Sequence, residues 1–182
     1  MHPKRVQANV EGAFLLLKND PGGMAAFDLS LRGFVQSFIA IAIVLPAYAL
    51  AVVIQALDLP PEIDPPTLGT RLWAYGLQWA AFVLTAVVLA KVMRREAHFV
   101  AYVIASNWAA VVQIGIVLVV VLLTTLTPPA LTGLLLILMT VGLLVYDYRV
   151  ARIAFAAPGF DGVAVVAIQF LVSLLVQRLA TW

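Results

Sequence analysis

The sequence predicts an all-α, polytopic membrane protein: a five-transmembrane-helix bundle preceded by an amphipathic cytoplasmic helix at the N-terminus. Three observations carry this. Of 182 residues, 64% are hydrophobic and 11% charged, where soluble domains hold about 25% charged residues. The charged residues fall between long charge-free runs instead of being spread along the chain. Finally, Lys and Arg gather in alternate gaps between those runs, which is the asymmetry that orients membrane helices. The same composition excludes a water-soluble domain and a disordered chain. Without cysteine there is no disulfide and no thiolate chemistry. A net charge of +2 gives no reason to expect nucleic acid as a partner.

Residues 1–33 form the first unit, a cytoplasmic interfacial segment. Val6, Val10, Ala13, Phe14 and Leu17 share one helical face, with Lys4, Arg5, Glu11 and Lys18 around the remainder. That pattern fits a helix lying on the inner leaflet. Asn19-Asp20-Pro21-Gly22-Gly23 breaks it. Asp20 suits the cap of a following helix and Pro21 its first position. Met24, Phe27, Leu31 and Phe34 then lead into the first span.

Residues 34–182 form the second unit. A hydrocarbon core needs about 20 apolar residues per helix. Charge-free runs reach from Gly33 to Leu57, Leu72 to Ala90, Phe99 to Tyr146 and Gly162 to Gln177. The third is long enough for two spans, and Pro128-Pro129 divides it among Thr124, Thr125, Thr127 and Thr132. The spans are therefore placed at about 34–57, 72–93, 99–126, 130–149 and 162–181. The fifth has a charge-free core of only 16 residues, so a re-entrant or interfacial helix is its alternative. No cleavable signal peptide is expected, because the first apolar run begins late. Pro46 in the first span predicts a kink.

Nine Lys and Arg residues lie on the N-terminal side of the bundle (Lys4, Arg5, Lys18, Arg32, Lys91, Arg94, Arg95, Arg149, Arg152) against two, Arg71 and Arg178, on the other. The first loop of that other side carries Asp58, Glu62 and Asp64. The chain is thus expected in an inner membrane, with a cytoplasmic N-terminus and a periplasmic C-terminus. Trp73 and Tyr75 are expected as anchors at the outer surface, and Tyr102, Tyr146 and Tyr148 at the inner one.

No ionisable residue falls near the middle of a span, which lowers the case for ion-coupled transport. Uncharged polar residues recur in stripes. Gln169, Ser173 and Gln177 follow every four residues on the fifth span, Tyr102, Ser106 and Gln113 share a face of the third, beside Asn107, and Gln78 and Thr85 lie a heptad apart on the second. They read as a polar path through the bundle or, more plainly, as interhelical hydrogen bonds worth about 0.6 kcal/mol each. Gly76, Ala80, Ala105, Ala109, Gly133 and Gly142 read as close-packing positions. A second candidate site gathers at the inner end of the third and fourth spans: Asn107, Trp108, Tyr146, Asp147, Arg149 and Arg152. Aromatic, amide, carboxylate and guanidinium groups there suit a lipid headgroup or a partner protein. The plainer alternative is a boundary salt bridge of Asp147 with Arg94, Arg95, Arg149 or Arg152.

Catalysis is not expected. There is no HExxH motif, no phosphate-binding lysine loop, and no His or Lys at depth to activate a serine. No metal or cofactor is expected either. No repeat divides the five spans into inverted halves.

The segment Ala13 to Phe27, a short apolar helix followed by Asn-Asp-Pro, resembles the lead-in of bacterial proteins of the Yip (Ypt-interacting protein) family. Tyr102-Val-Ile-Ala-Ser-Asn-Trp108 is similar to the small-residue opening of their third span. The resemblance extends to most of the chain as architecture. It implies a non-enzymatic scaffold or adaptor that organises membrane proteins or lipids. Its partners would be the bilayer and other membrane proteins, or further copies of the chain. The polar stripes sustain a different expectation, a small permease or channel subunit for an uncharged or lipid-like solute. A lipid-modifying enzyme is the least favoured.

Overall fold

The computed structural model describes residues 3–57 and 64–180. Asp58 and Glu62 of the acidic loop, and Trp182, lie outside the described residues. Seven α-helices follow in order: α1 (Pro3–Leu17), α2 (Leu31–Ser37), α3 (Ile39–Leu57), α4 (Leu68–Val92), α5 (Phe99–Thr124), α6 (Pro129–Ala154) and α7 (Phe160–Ala180). Short 3-10 turns at Pro21–Ala26 and Glu96–His98 join them, and no strand occurs among the described residues. Five stretches are long and apolar enough to cross a membrane: Leu31–Leu57, Leu68–Val92, Glu96–Thr124, Pro129–Ala154 and Phe160–Ala180. The fifth qualifies with 21 residues.

Helix boundaries follow local chemistry. Asp20 does cap a helix, accepting from the Gly22 N–H at 2.8 Å, but the helix is the 3-10 turn that ends at Phe27. A second cap at Ser30 starts α2. Thr67 accepts from the Thr70 N–H and starts α4 four residues before the expected 72, so Arg71 lies in its first turn. Thr124, Thr125 and Thr127 return their hydroxyls to the carbonyls of Val121, Leu122 and Leu123, covering the open end of α5. Pro129 then occupies the first turn of α6, where its missing N–H costs nothing.

α6 departs furthest from expectation. It continues past residue 149 to Ala154. Arg149 and Arg152 need not end the helix, because both guanidiniums reach the C-terminal end of α1. Arg149 donates to the Leu17 carbonyl, and Arg152 to Asn19 Oδ1 at 2.5 Å. A cation at a helix C-terminus satisfies free carbonyls and opposes the negative end of the dipole.

α5 is the hub, packing against α1, α2, α3, α4 and α6, while α7 closes against α4 and α6. The buried core lies at the end of the bundle that carries α1. Tyr102, Val103, Ile104, Ala105, Trp108 and Ala109 of α5 meet Ala13 and Leu16 of α1, Tyr146, Val150 and Ala151 of α6, and Val165 of α7. α1 is joined to the bundle through a close approach. A Cβ on Gly12 would stand 2.7 Å from the Ala26 Cβ, and one on Gly23 would stand 2.4 Å from the Gly12 carbonyl oxygen. Ala105 and Ala109 pack tightly as expected. Gly76, Gly133 and Gly142 do not, since nothing lies within 4 Å of a Cβ built on them.

Candidate functional site

The two groups of residues singled out in the sequence meet, but regrouped. A cavity of about 370 Å³ opens between all five spanning-length helices, a size within the ordinary range of small-molecule sites. Tyr75, Gln78, Trp79 and Phe82 line it from α4; Tyr102, Ser106, Asn107 and Gln113 from α5; Asp147 from α6; and Gln169 and Ser173 from α7. Val44 is the contribution of α3, and Val117, Leu143, Leu144, Val166 and Phe170 complete apolar walls. Gln177, two turns beyond Phe170, is exposed and is not part of the lining.

Helical periodicity explains the stripe. On α5, Tyr102, Ser106, Ala110, Gln113 and Val117 recur at four, four, three and four residues, which keeps them on one face. On α7, Val166, Gln169, Phe170 and Ser173 do the same.

Asp147 is the charged residue of the lining. Seven residues (154 − 147) separate it from the end of α6, about 10 Å of helix. It therefore stands inside the helix and not at the boundary anticipated from a span ending at 149. It accepts from Gln113 Nε2 at 2.6 Å through Oδ1. The arginines expected as its partners go elsewhere. Arg149 and Arg152 hold α1. Arg95 bridges to Asp161 at 2.7 Å and donates to the Ala156 carbonyl. Among the described residues, Asp147 belongs to neither of the ion pairs Arg5–Asp28 and Arg95–Asp161, and no Lys, Arg or His lines the cavity.

The amide orientations follow from their partners. The Ser37 hydroxyl donates to the Phe34 carbonyl at 2.7 Å, so its oxygen is left to accept from Asn107 Nδ2 at 2.8 Å. A carboxylate only accepts, so Gln113 must present nitrogen to Asp147. Gln169 Nε2 faces the Phe82 carbonyl at 3.4 Å, a weak bond by its length. In each case protein acceptors engage the amide nitrogen. The oxygens are what remain. Asn107 Oδ1 and Gln78 Oε1 are buried without a hydrogen-bond partner among the described residues. An unpaired buried acceptor costs about 1–3 kcal/mol.

The rest of the inner-end group serves structure. Trp108 is 1% exposed and packs in the core, and Tyr146 is fully buried with its hydroxyl donating to the Ala13 carbonyl at 2.6 Å. Tyr102 is buried too, stacked on Phe155 at 4.6 Å between ring centres. Tyr102 and Tyr146 thus face inward instead of anchoring at the surface, while Tyr148 is half-buried. Tyr75 likewise stacks on Tyr48 at 4.9 Å and donates to the Ile41 carbonyl at 2.8 Å, tying α4 to α3. Trp73 is exposed, at 65%. Sequence reasoning reached Gln78 through its polar stripe but missed Tyr75, Trp79 and Phe82 beside it. Their spacing on α4 was a usable signal, since 75, 78, 79 and 82 share a face.

No family model, no curated protein and no solved structure matches this chain.

Proposed function

We propose that this chain is a non-enzymatic, multi-pass inner-membrane protein that holds a small polar solute or lipid head group between its five spans, in the manner of a small permease. Its N-terminus is cytoplasmic and its C-terminus periplasmic, and α1 is an amphipathic lid over the cytoplasmic end. One observation carries the reading: five helices from separate parts of the sequence converge on one cavity in which two buried acceptors, Asn107 Oδ1 and Gln78 Oε1, lack partners among the described residues. A lining built only to join helices would pair its own groups. The one-sided Lys and Arg distribution supports the orientation.

Native mass spectrometry of protein released from its own membrane tests this. The wild type should carry a retained small-molecule or lipid adduct, and Ala110→Phe, which fills the cavity from α5, should lose it. Identical spectra for both would remove the reading. For the orientation, a reporter active only outside the cytoplasm should work after Trp182 and fail after Arg95.

A second reading, the Yip-like scaffold, is favoured by the exposed apolar residues of the N-terminal segment, Phe14, Leu15, Leu29, Leu31 and Val35. Such a surface suits the inner leaflet or another membrane protein. A stoichiometric protein partner that is lost with Phe14→Asp would support it.

A further inference from the structure

We propose that the ligand of this cavity is an organic cation, an ammonium group seated against Asp147 and donating to the oxygens of Asn107 and Gln78. This rests on the reading of the cavity as a ligand site and names the chemistry it selects.

A carboxylate out of water needs a countercharge, because desolvation penalises it heavily. Asp147 accepts one neutral hydrogen bond, from Gln113, and among the described residues no cation of the lining neutralises it. The two orphaned atoms of the lining are both oxygens, and the orientation of Asn107 is enforced by Ser37. A ligand complementary to them must donate. Hydroxyl or amide ligands could donate, but only a cation also answers the carboxylate.

The walls agree with this. Tyr75, Trp79, Phe82 and Tyr102 bring four aromatic rings from two helices to the same space, and a ring face attracts an ammonium group. The apolar remainder, including Val117, Leu144 and Val166, suits a hydrocarbon body behind the charge. An anion would meet the carboxylate and the orphaned oxygens with no cation among the described lining residues to receive it. Free amines and the aminoethyl head of a phospholipid share this chemistry.

The test is a charge series of constant shape: phenethylamine, phenethyl alcohol and phenylacetate, titrated into the purified full-length protein in anionic phosphatidylglycerol nanodiscs. Tryptophan fluorescence reads binding, because Trp79 lines the cavity. Phenethylamine should bind at least about tenfold more tightly than the alcohol, the worth of one charged hydrogen bond, and phenylacetate should not bind. Asp147→Asn keeps the shape and the Gln113 contact, and should erase the difference between amine and alcohol. Asp147→Glu should restore part of it.

Equal binding of amine and alcohol, or a preference that survives Asp147→Asn, overturns the inference. If that equal binding also disappears in Ala110→Phe, the cavity remains a ligand site and only its charge selectivity is lost. If no probe binds the wild type, both readings fall. Adding phosphatidylethanolamine to the nanodiscs separates the sources. Competition with phenethylamine identifies a lipid head group, and its absence identifies a free amine.

Discussion

At the end of the bundle that carries α1, side chains from five helices, α1, α4, α5, α6 and α7, interlock in one core that includes Trp108 and Tyr146, and Arg95, just beyond α4, and Arg149 of α6 donate to carbonyls at or near other helix ends. At the opposite end, Val121 is the one buried residue in the last turns of α5, and leucines such as Leu122, Leu134 and Leu179 point outward. Composition does not explain this contrast, because both ends are apolar. Between helices in lipid, apolar contact has no hydrophobic drive, since lipid tails are as apolar as leucine. Polar bonds and close backbone approach must hold helices together instead. The α1 end has both: the Gly12–Gly23 approach, and hydrogen bonds from Tyr146, Arg149 and Arg152 to α1 and the residues just after it. The cavity lies where that tightly joined region gives way to the looser one.

The comparison can be broken by mutation, and the largest effect belongs to Trp108. Trp108→Ala should lower stability by about 3–5 kcal/mol, the usual cost of emptying a packed aromatic site. Leu122→Ala at the opposite end should change it by less than about 0.5 kcal/mol. Unfolding titrations in denaturing detergent would compare the two. Equal losses would show that the ends do not differ in packing.

Glycines sharpen it next. Gly12→Val places atoms against the Gly23 backbone and should cost about 1–3 kcal/mol, with cleavage after Lys18 becoming fast in limited proteolysis. Gly76→Ala meets nothing within 4 Å and should stabilise by up to about 1 kcal/mol through helix propensity. Tyr146→Phe should cost about 1–2 kcal/mol, since it strands the Ala13 carbonyl. Its effect should vanish in a chain lacking α1, which thermal unfolding of the two backgrounds would reveal.

The smallest effect concerns pH. Hydrogen bonds from Ser30, and secondarily Arg5, hold the Asp28 carboxyl below its ordinary value of 3.8. A depressed carboxyl stabilises the folded form above that ordinary value and loses its contribution as pH falls through the lower folded one. Asp28 is exposed, so the effect should be slight and local. Protection of the amides at the start of α2, measured relative to the intrinsic exchange rate at each pH, should fall as the pH drops below 3.8 in the wild type and stay level in Asp28→Asn.

Much of this architecture was legible in the sequence. The five long helices follow from charge-free length alone, a constraint the bilayer imposes on any chain. Gln113, Gln169 and Ser173 were legible as cavity residues because helical spacing keeps them on common faces. The partner of Asp147 was not. Arg149 and Arg152 sit two and five residues from it, near in sequence but not at the three- or four-residue spacing that shares a helical face. They turn away because α1 docks its C-terminal end beside them, a contact spanning more than 130 residues that depends on the Gly12–Gly23 approach. Tyr102 and Tyr146 were misplaced for the same kind of reason. An amphipathic ring looks like a surface anchor until a distant element supplies a carbonyl for its hydroxyl, as Ala13 does for Tyr146, or a ring to stack on, as Phe155 does for Tyr102.

The account's central claim is that the cavity admits a small polar molecule, and the absence of cysteine from the chain allows a direct measurement. Single cysteines at Ser106, in the lining, and at Ile137, on the outward face of α6, would be exposed to a small cationic methanethiosulfonate in proteoliposomes. The account predicts that Ser106→Cys is modified, that phenethylamine slows its modification, and that Ile137→Cys stays unmodified. A Ser106→Cys thiol as inert as that of Ile137→Cys, in a protein that folds and inserts normally, would contradict it.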